Sequence, residues 1–323
     1  MPPLVSVVIT TYNTKQDWLQ EAIESALKQT YRDLEVIVVD DGSTLDMTWV
    51  TERHGTRLRY VRKENGGPAS ARNLGIRFAR GRYVAFLDGD DVWVSDKLEA
   101  QMALFASAPE TALVYARAGT VNDAGQTIAR RSERLPKYAG RVLPQLFMRC
   151  FIGTSTVVVQ RECVVRVGLF DEARDLISVE DYDLWLRIAE RYPVDYVDRV
   201  LVTYRLHEEG ISQNSARSYT GEHRVISRAI ARNLPSHPEL LPMLKRRFAQ
   251  LFFEWGYEYF EAERLQDART QFGASLRYRP QNMRVWAYWG STWLGPGGVE
   301  RMRRWKRRLD PQAERRPAGA ARG

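Results

Sequence analysis

Two short, largely apolar runs rich in Val and Ile, Leu4–Thr10 and Leu34–Asp40, constrain this chain more than any other feature. A run of this kind suits a strand covered on both faces, and such strands belong to sheets that carry helices on either side. Between the two runs Leu19, Ala22, Ile23, Ala26 and Leu27 recur at the spacing of one helix face. Arg57–Val61 and Tyr83–Leu87 read as further strands, with a helix over Pro68–Arg80 between them. Pro68 suits a first helical turn and Gly81 a stop. Leu98, Met102, Phe105 and Ala106 give another helix face, followed by a strand at Ala112–Ala116. After Asn122 the pattern loosens until about Gly140. Val157–Gln160 and Arg199–Arg205 resume as strands, with Leu184, Trp185, Ile188 and Ala189 on a helix between them. This alternation predicts an α/β domain with a mainly parallel central sheet flanked by helices, whose ligands bind at the carboxyl ends of the strands.

Those ends are acidic. One strand runs into Asp40-Asp41-Gly42-Ser43 and another into Asp88-Gly89-Asp90-Asp91. Turn chemistry explains either motif alone. Together they place five carboxylates at one end of a sheet, where they repel unless a cation or a polar ligand resides among them. Oxygen ligands without sulfur suit Mg²⁺ or Mn²⁺, the ions that accompany diphosphates. The pair of motifs therefore predicts a metal–nucleotide site.

Val5–Asn13 and Val39-Asp40-Asp41-Gly42-Ser43 are followed in order by Asn65–Asn73, Leu87–Asp91, Ser178–Trp185 and Tyr204-Arg205-Leu206-His207. This string of motifs, spread over residues 4–212, resembles a family 2 glycosyltransferase of the GT-A fold. The resemblance implies an enzyme that takes a sugar from a nucleotide-diphosphate sugar, UDP- or dTDP-linked, to a hydroxyl acceptor with inversion. It implies that Thr10 and Tyr12 contact the nucleotide, Tyr12 flanking the base, and that Asp41 accepts from the base's imide N–H. Arg72 would face the phosphates, although alone it reads as a solvated helix charge. Asp90 would ligate the divalent ion, Asp88 would bind the ribose or the ion's water shell, and His207 would approach the metal from the C-terminal side. Asp181 matches the family's general base, with Glu180 orienting it or binding the acceptor. Ser178-Val179-Glu180-Asp181 also fits a capped helix start, and the two readings are compatible.

Rival classes fit less well. A sugar-nucleotide pyrophosphorylase would place a Gly-rich phosphate loop early in the chain, where Thr10-Thr11-Tyr12-Asn13 stands instead. A dinucleotide fingerprint after the first strand and a P-loop are both lacking. A non-catalytic nucleotide-sugar-binding or interaction protein has no need of Asp41, Asp90 and Asp181 together.

Beyond about Ser215 the pattern is helical, so residues 1–214 are read as the catalytic domain, 215–298 as a helical region and 299–323 as a basic tail. Gly256, Tyr259, Ala268, Phe272 and Pro280 have the mutual spacing of a tetratricopeptide helix pair, of which only one repeat is legible. The formal net charge is +8, and residues 299–323, with nine basic and three acidic side chains, supply +6 of it. Trp286, Trp289 and Trp293 precede the six basic residues within Arg301–Arg308. Trp followed by clustered Arg and Lys is what a helix uses at an anionic lipid surface, so residues 286–308 are expected to make peripheral membrane contact. Nucleic acid is not expected, because the positive charge lies in a short tail and not across a folded face. No apolar stretch reaches spanning length and no secretory leader is evident, which predicts a cytoplasmic protein peripheral at the inner face of the cell membrane. Cys150 and Cys163 are too few for a disulfide framework. The expected acceptor is a hydroxyl compound, a lipid-linked glycan being one candidate.

Overall fold

The computed structural model describes residues 4–129, 137–207, 210–211, 215–295 and 297. The chain divides into two compact units, one ending at residue 213 and the other beginning at residue 214.

The first unit is built on one sheet. Its strands are β1 (Val5–Thr11), β2 (Leu34–Asp40), β3 (Arg59–Arg62), β4 (Tyr83–Asp88), β5 (Val92–Trp93), β6 (Leu113–Val121), β7 (Thr127–Ala129), β8 (Val158–Gln160) and β9 (Val194–Arg205). The helices are α1 (Gln16–Leu27), α2 (Thr48–His54), α3 (Pro68–Phe78), α4 (Lys97–Ser107), α5 (Leu143–Met148), α6 (Arg161–Arg166) and α7 (Glu180–Ala189). The strands lie in the order β3-β2-β1-β4-β8-β6-β9-β5, with β7 against β6. The expected parallel character holds for β1 with β2 and β4, for β2 with β3, and for β6 with β9. β8 runs antiparallel between β4 and β6, and β5 runs antiparallel to β9, so the sheet is mixed. An apolar run states that a strand is covered on both faces; it does not state its direction.

The core supports this layout. Every residue of β1 is buried, and Val5, Val7 and Ile9 pack with Leu19, Ala22, Ile23 and Ala26 of α1. Register then positions the site. Thr10 pairs with Val39 and Asp88, and Thr11 pairs with Asp40, so the ends of β1, β2 and β4 finish level with one another. Boundaries differ from expectation where local chemistry decides them. The turn at Gly55–Arg57 is 3-10, so β3 starts later than Arg57, and α3 ends at Phe78 because Ala79 is already extended.

The second unit contains α8 (Ser215–Asn233), α9 (Leu241–Glu261), α10 (Leu265–Tyr278) and α11 (Met283–Ser291). Gly256 lets α9 approach α10: a Cβ there would stand 2.7 Å from Phe272 Cδ1 and 3.2 Å from the Ala268 carbonyl oxygen. Phe260, Ala268, Phe272, Leu276, Val285 and Tyr288 form the core of this unit. Among the described residues no helix is long and apolar enough to cross a membrane. The basic stretch Arg301–Arg308 lies outside the described residues.

Candidate active site

The turn after β2 is organised by its own acids. Asp40 is fully buried and accepts from the Ser43 backbone N–H at 2.8 Å and the Tyr60 hydroxyl at 2.7 Å. Asp41 accepts from Lys63 Nζ at 2.7 Å and from the Gly66 and Gly67 backbone N–H groups at 3.0 and 2.7 Å. Of the about four lone pairs of a carboxylate, three are thus committed to the 63–67 loop. Gly42 makes that approach feasible: its φ is +80°, and a Cβ would lie 2.8 Å from Asn65 N. Asn13, at φ +51°, accepts from Thr44 N and takes its own N–H to Ser43 Oγ, which ties the end of β1 to the same turn. Tyr12, next to it, is 52% exposed and presents a ring at the sheet's edge. Thr10 is buried, with its hydroxyl 3.3 Å from Asp88 Oδ1.

The turn after β4 places its three acids differently. Asp88 takes Arg72 Nη2 at 2.8 Å, and Asp90 Oδ2 meets His207 Nε2 at 2.9 Å. Asp91 points inward, buried, and accepts from the Arg205 backbone N–H at 3.1 Å. Burial, then the charges of Asp90 and Asp88, hold the Asp91 carboxyl well above the usual carboxylate range. The polypeptide therefore supplies partners for all five acids, and their repulsion does not by itself require a cation as the sequence suggested.

Asp90 and His207 nevertheless suit a divalent ion. Their facing atoms are separated by about the distance of two neighbouring ligands on an octahedral ion with bonds of about 2.1 Å. The donors are oxygen and imidazole nitrogen without thiolate, the set that suits Mg²⁺ or Mn²⁺. Among the described residues no three His, Cys, Asp or Glu side chains gather as a closed cage. Ions that travel with diphosphates need none, because phosphate oxygens and water complete their shell.

Arg72 lies elsewhere than a solvated helix charge would. It is 5% exposed and bridges two acids, giving Nη2 to Asp88 and Nη1 to Glu180 Oε1 at 2.6 Å. Although burial opposes its charge, Asp88 and Glu180 raise its pKa further above the ordinary value, so it stays a cation. Glu180 is buried as well, and its second oxygen accepts from the Ser178 backbone N–H at 2.7 Å. The expected Ser178 cap is not formed: the cap position of α7 falls on Val179, without a side-chain cap hydrogen bond, and Ser178 sits at φ +85°. Glu180 reaching back to that N–H serves the helix start instead.

Asp181 follows at the second position of α7. Its Oδ2 accepts from the Thr154 hydroxyl at 2.8 Å and its Oδ1 from the Tyr182 N–H at 2.7 Å. It is half-buried by surface yet enclosed by protein atoms. Burial and the neighbouring Glu180 push its pKa up to about 7, against the opposing pull of Arg72. A carboxylate that titrates near neutrality is matched to accepting a proton from a hydroxyl.

All nine side chains expected from the sequence lie at the carboxyl edge of the sheet or on the start of α7 facing α3. Sequence reasoning missed Lys63, Thr154 and Ser155, whose hydroxyl accepts the Asp88 backbone N–H at 3.1 Å, and gave no role to Asn13 and Arg205 within the motifs it quoted. Asn13, beside Tyr12, carried a faint signal as a residue tolerant of positive φ; the other four act through long-range contacts that have no local pattern.

The family model for Glycosyl transferase family 2 matches residues 6–167, half of the chain. An uncharacterized glycosyltransferase of Rickettsia felis is 37% identical over 206 residues, covering 62% of this chain and 33% of that protein. The chain thus spans about a third of the length of that relative. The Escherichia coli UDP-Glc:alpha-D-GlcNAc-diphosphoundecaprenol beta-1,3-glucosyltransferase WfaP is 32% identical over 227 residues, covering 69% of this chain and 85% of WfaP. Among solved structures, S. aureus TarS 1-349 in complex with UDP-GlcNAc superposes with a TM-score of 0.65 at 20% identity, covering 90% of this chain and 84% of that one. The mixed sheet with flanking helices is the GT-A fold, and the chain belongs to glycosyltransferase family 2.

Proposed function

We propose that the protein transfers a sugar, with inversion, from a UDP-sugar to a hydroxyl of a lipid-linked sugar diphosphate. The observation that carries this reading is the carboxylate of Asp181, fixed by two hydrogen bonds and directly following the Glu180 that Arg72 ties to Asp88; burial and Glu180 push its pKa up to about 7. The name of WfaP specifies UDP-glucose and GlcNAc-diphosphoundecaprenol for that relative, and the TarS structure holds UDP-GlcNAc. Both support a uridine donor, and WfaP supports a polyprenyl-linked acceptor. Tyr12 offers its exposed ring to the base, and the remaining lone pair of Asp41 is free for an N–H donor. Asp181 takes the proton of the attacking hydroxyl, on the face opposite the departing UDP. Asp90 and His207 would hold Mn²⁺ or Mg²⁺, with Asp88 beside them, and the ion would neutralise charge on the leaving diphosphate.

A lipid-linked acceptor brings the enzyme to a membrane. Trp286, Trp293, Met283 and Leu294 are exposed on α11 and the turn after it, 43, 60, 75 and 60% respectively. They precede the +6 tail, so we place the peripheral contact with anionic lipid in this region.

The test is acceptor-dependent release of UDP from UDP-glucose and UDP-GlcNAc, with a GlcNAc-diphospho-polyprenyl acceptor, in Mn²⁺ and in chelator. Asp181→Asn is expected to lower turnover by about 10²–10⁴-fold with UDP binding retained. Wild-type turnover in that variant removes Asp181 from the mechanism, and full activity in chelator removes the ion.

A further inference from the structure

A closed circuit of contacts joins the two ends of the site, and the reaction scheme above uses only part of it. Asp88 meets Arg72, Arg72 meets Glu180, and Glu180 is followed by Asp181. Asp181 accepts from Thr154, Thr154 is followed by Ser155, and Ser155 Oγ accepts the backbone N–H of Asp88 at 3.1 Å. Asp88 and the proposed base Asp181 are thus tied twice, by a guanidinium on one side and by the short 3-10 turn Thr154–Thr156 on the other.

That turn is itself clamped. The Trp93 indole donates to the Ser155 carbonyl at 2.8 Å, and Gln101 Nε2 donates to the Thr156 carbonyl at 2.9 Å. Thr156 Oγ1 closes onto the Gly153 carbonyl at 2.6 Å, and Thr154, Ser155 and Thr156 are all buried. None of these clamps uses the Thr154 hydroxyl, whose observed partner is Asp181 Oδ2. With Oδ1 engaged by the Tyr182 N–H, the donation from Thr154 sets which lone pairs of Asp181 remain for a proton from the acceptor.

We propose that Thr154 is a positioning residue for the base: it holds the Asp181 carboxylate in its ionised form and aims it, from a turn that also anchors Asp88. This rests on the reading of Asp181 as general base. The charged and titratable groups that face Asp181 are Glu180 on α7, Arg72 on α3 and the Cys150 thiol after α5. Burial pushes that thiol up, so it is uncharged at neutral pH. Glu180 and Arg72 are retained when Thr154 is changed, so a shift in the pH profile of such a variant reports the lost hydroxyl.

The experiment measures kcat/KM and kcat against pH for the full chain, with UDP-glucose and a GlcNAc-diphospho-polyprenyl acceptor. Thr154→Val, Thr154→Ser and Asp181→Asn are compared with the wild type. A hydrogen bond to an ionised group favours that form by about tenfold, so Thr154→Val should move the acid limb up by about one pH unit. Its kcat at about pH 7 should fall roughly fivefold and recover in more alkaline buffer, with KM for the donor unchanged. Thr154→Ser should restore the wild-type profile. Thr154→Ala removes the same hydroxyl without a second methyl and is read in the same way should Thr154→Val fail to fold. An unmoved limb in Thr154→Val or Thr154→Ala, with Asp181→Asn inactive, overturns the role of Thr154 and leaves the base in place. An active Asp181→Asn overturns the base reading itself.

Discussion

Glu180→Gln offers the sharpest view of how the site sets the ionisation of its base. Asp181 is pushed up to about 7 first by burial and then by Glu180, while Arg72 pulls the other way. Two carboxylates about 6 Å apart repel by about 3 kcal/mol at an effective dielectric constant of about 20, which is about 2 pK units. Removing the Glu180 charge withdraws that contribution. It also leaves Arg72 with one fewer anion, since Nη1 now donates to Glu180 at 2.6 Å, so the pull of the guanidinium on Asp181 grows. Burial is unchanged, and the group cannot return to the ordinary 3.8. The acid limb of kcat/KM is therefore expected about 2 units lower in the variant. At about pH 6 the wild type would hold roughly a tenth of Asp181 ionised and the variant half or more. The plateau itself should drop, because a Gln amide sets its NH₂ against either the Ser178 N–H or the Arg72 guanidinium. The position of the limb, not its height, is the quantity to read. Stability gives a second readout of the same group. Folded Asp181 keeps a proton between about pH 4 and 7 that the unfolded chain has lost, so its contribution to stability falls as pH rises through that window. In Glu180→Gln the window narrows from its upper end. A limb that stays put or moves up would refute the assignment of Glu180 as a cause, and a wild type without a limb near neutrality would detach Asp181 from the rate.

Two further perturbations probe neighbouring parts of the fold. Lys97 is wholly buried with its ammonium 3.8 Å from the Trp93 ring and without a hydrogen-bond partner. A cation–ring contact is worth about 2 kcal/mol, less than the several kcal/mol it costs to bury an unpaired ion, so burial holds its pKa well below the ordinary range. The folded state then binds fewer protons than the unfolded chain below about pH 10.5, and this contribution to stability rises with pH. Lys97→Met should gain about 1–3 kcal/mol at neutral pH and lose that slope in denaturant titrations; a loss of stability would show that the amine has a partner. For Asp41→Asn, one donor of the 63–67 loop faces an amide NH₂, and UDP affinity by calorimetry should fall by about tenfold. Unchanged affinity would put Asp41 outside the nucleotide site.

The parallel half of the fold was legible because its signals are local. Val5–Thr11 and Leu34–Asp40 state by composition that both of their faces are covered, and register does the rest by bringing Thr11 level with Asp40 and Thr10 level with Asp88. The antiparallel placement of β8 was not legible, since Val158-Val159-Gln160 reads the same in either direction. The short strands β5 and β7, of two and three residues, carry too few positions for any periodicity. At the site, the acid motifs announced themselves by spacing, whereas their partners come from afar. Arg72 and Glu180 are 108 residues apart, and Asp90 and His207 are 117 apart. Thr154 gave no sign at all, because a hydroxyl in a Gly-Thr-Ser-Thr turn is ordinary loop chemistry until a carboxylate is folded against it.

The distribution of charge across the site limits what a cation could do there. Asp40 is sealed by Ser43 and Tyr60, and Asp41 is largely spent on the loop that carries Gly66 and Gly67. Asp91 is buried and accepts from the Arg205 backbone N–H, so it is not offered to an ion from solvent. What the turn after β4 offers to solvent is Asp88 and Asp90, whose side chains are 31% and 29% exposed. Asp88 shares the single charge of Arg72 with Glu180, and among the described residues Asp90 pairs with the imidazole of His207. The net attraction for a free divalent ion is then that of about two carboxylates, only one of them, Asp90, without a cationic Arg or Lys against it among the described residues, which is weak against the ion's hydration. A diphosphate adds the missing negative oxygens. The arrangement therefore favours an ion that enters with the nucleotide, and UDP with Mn²⁺ should raise the melting temperature more than the sum of either alone. Additive shifts would mean that the ion and the nucleotide do not share ligands.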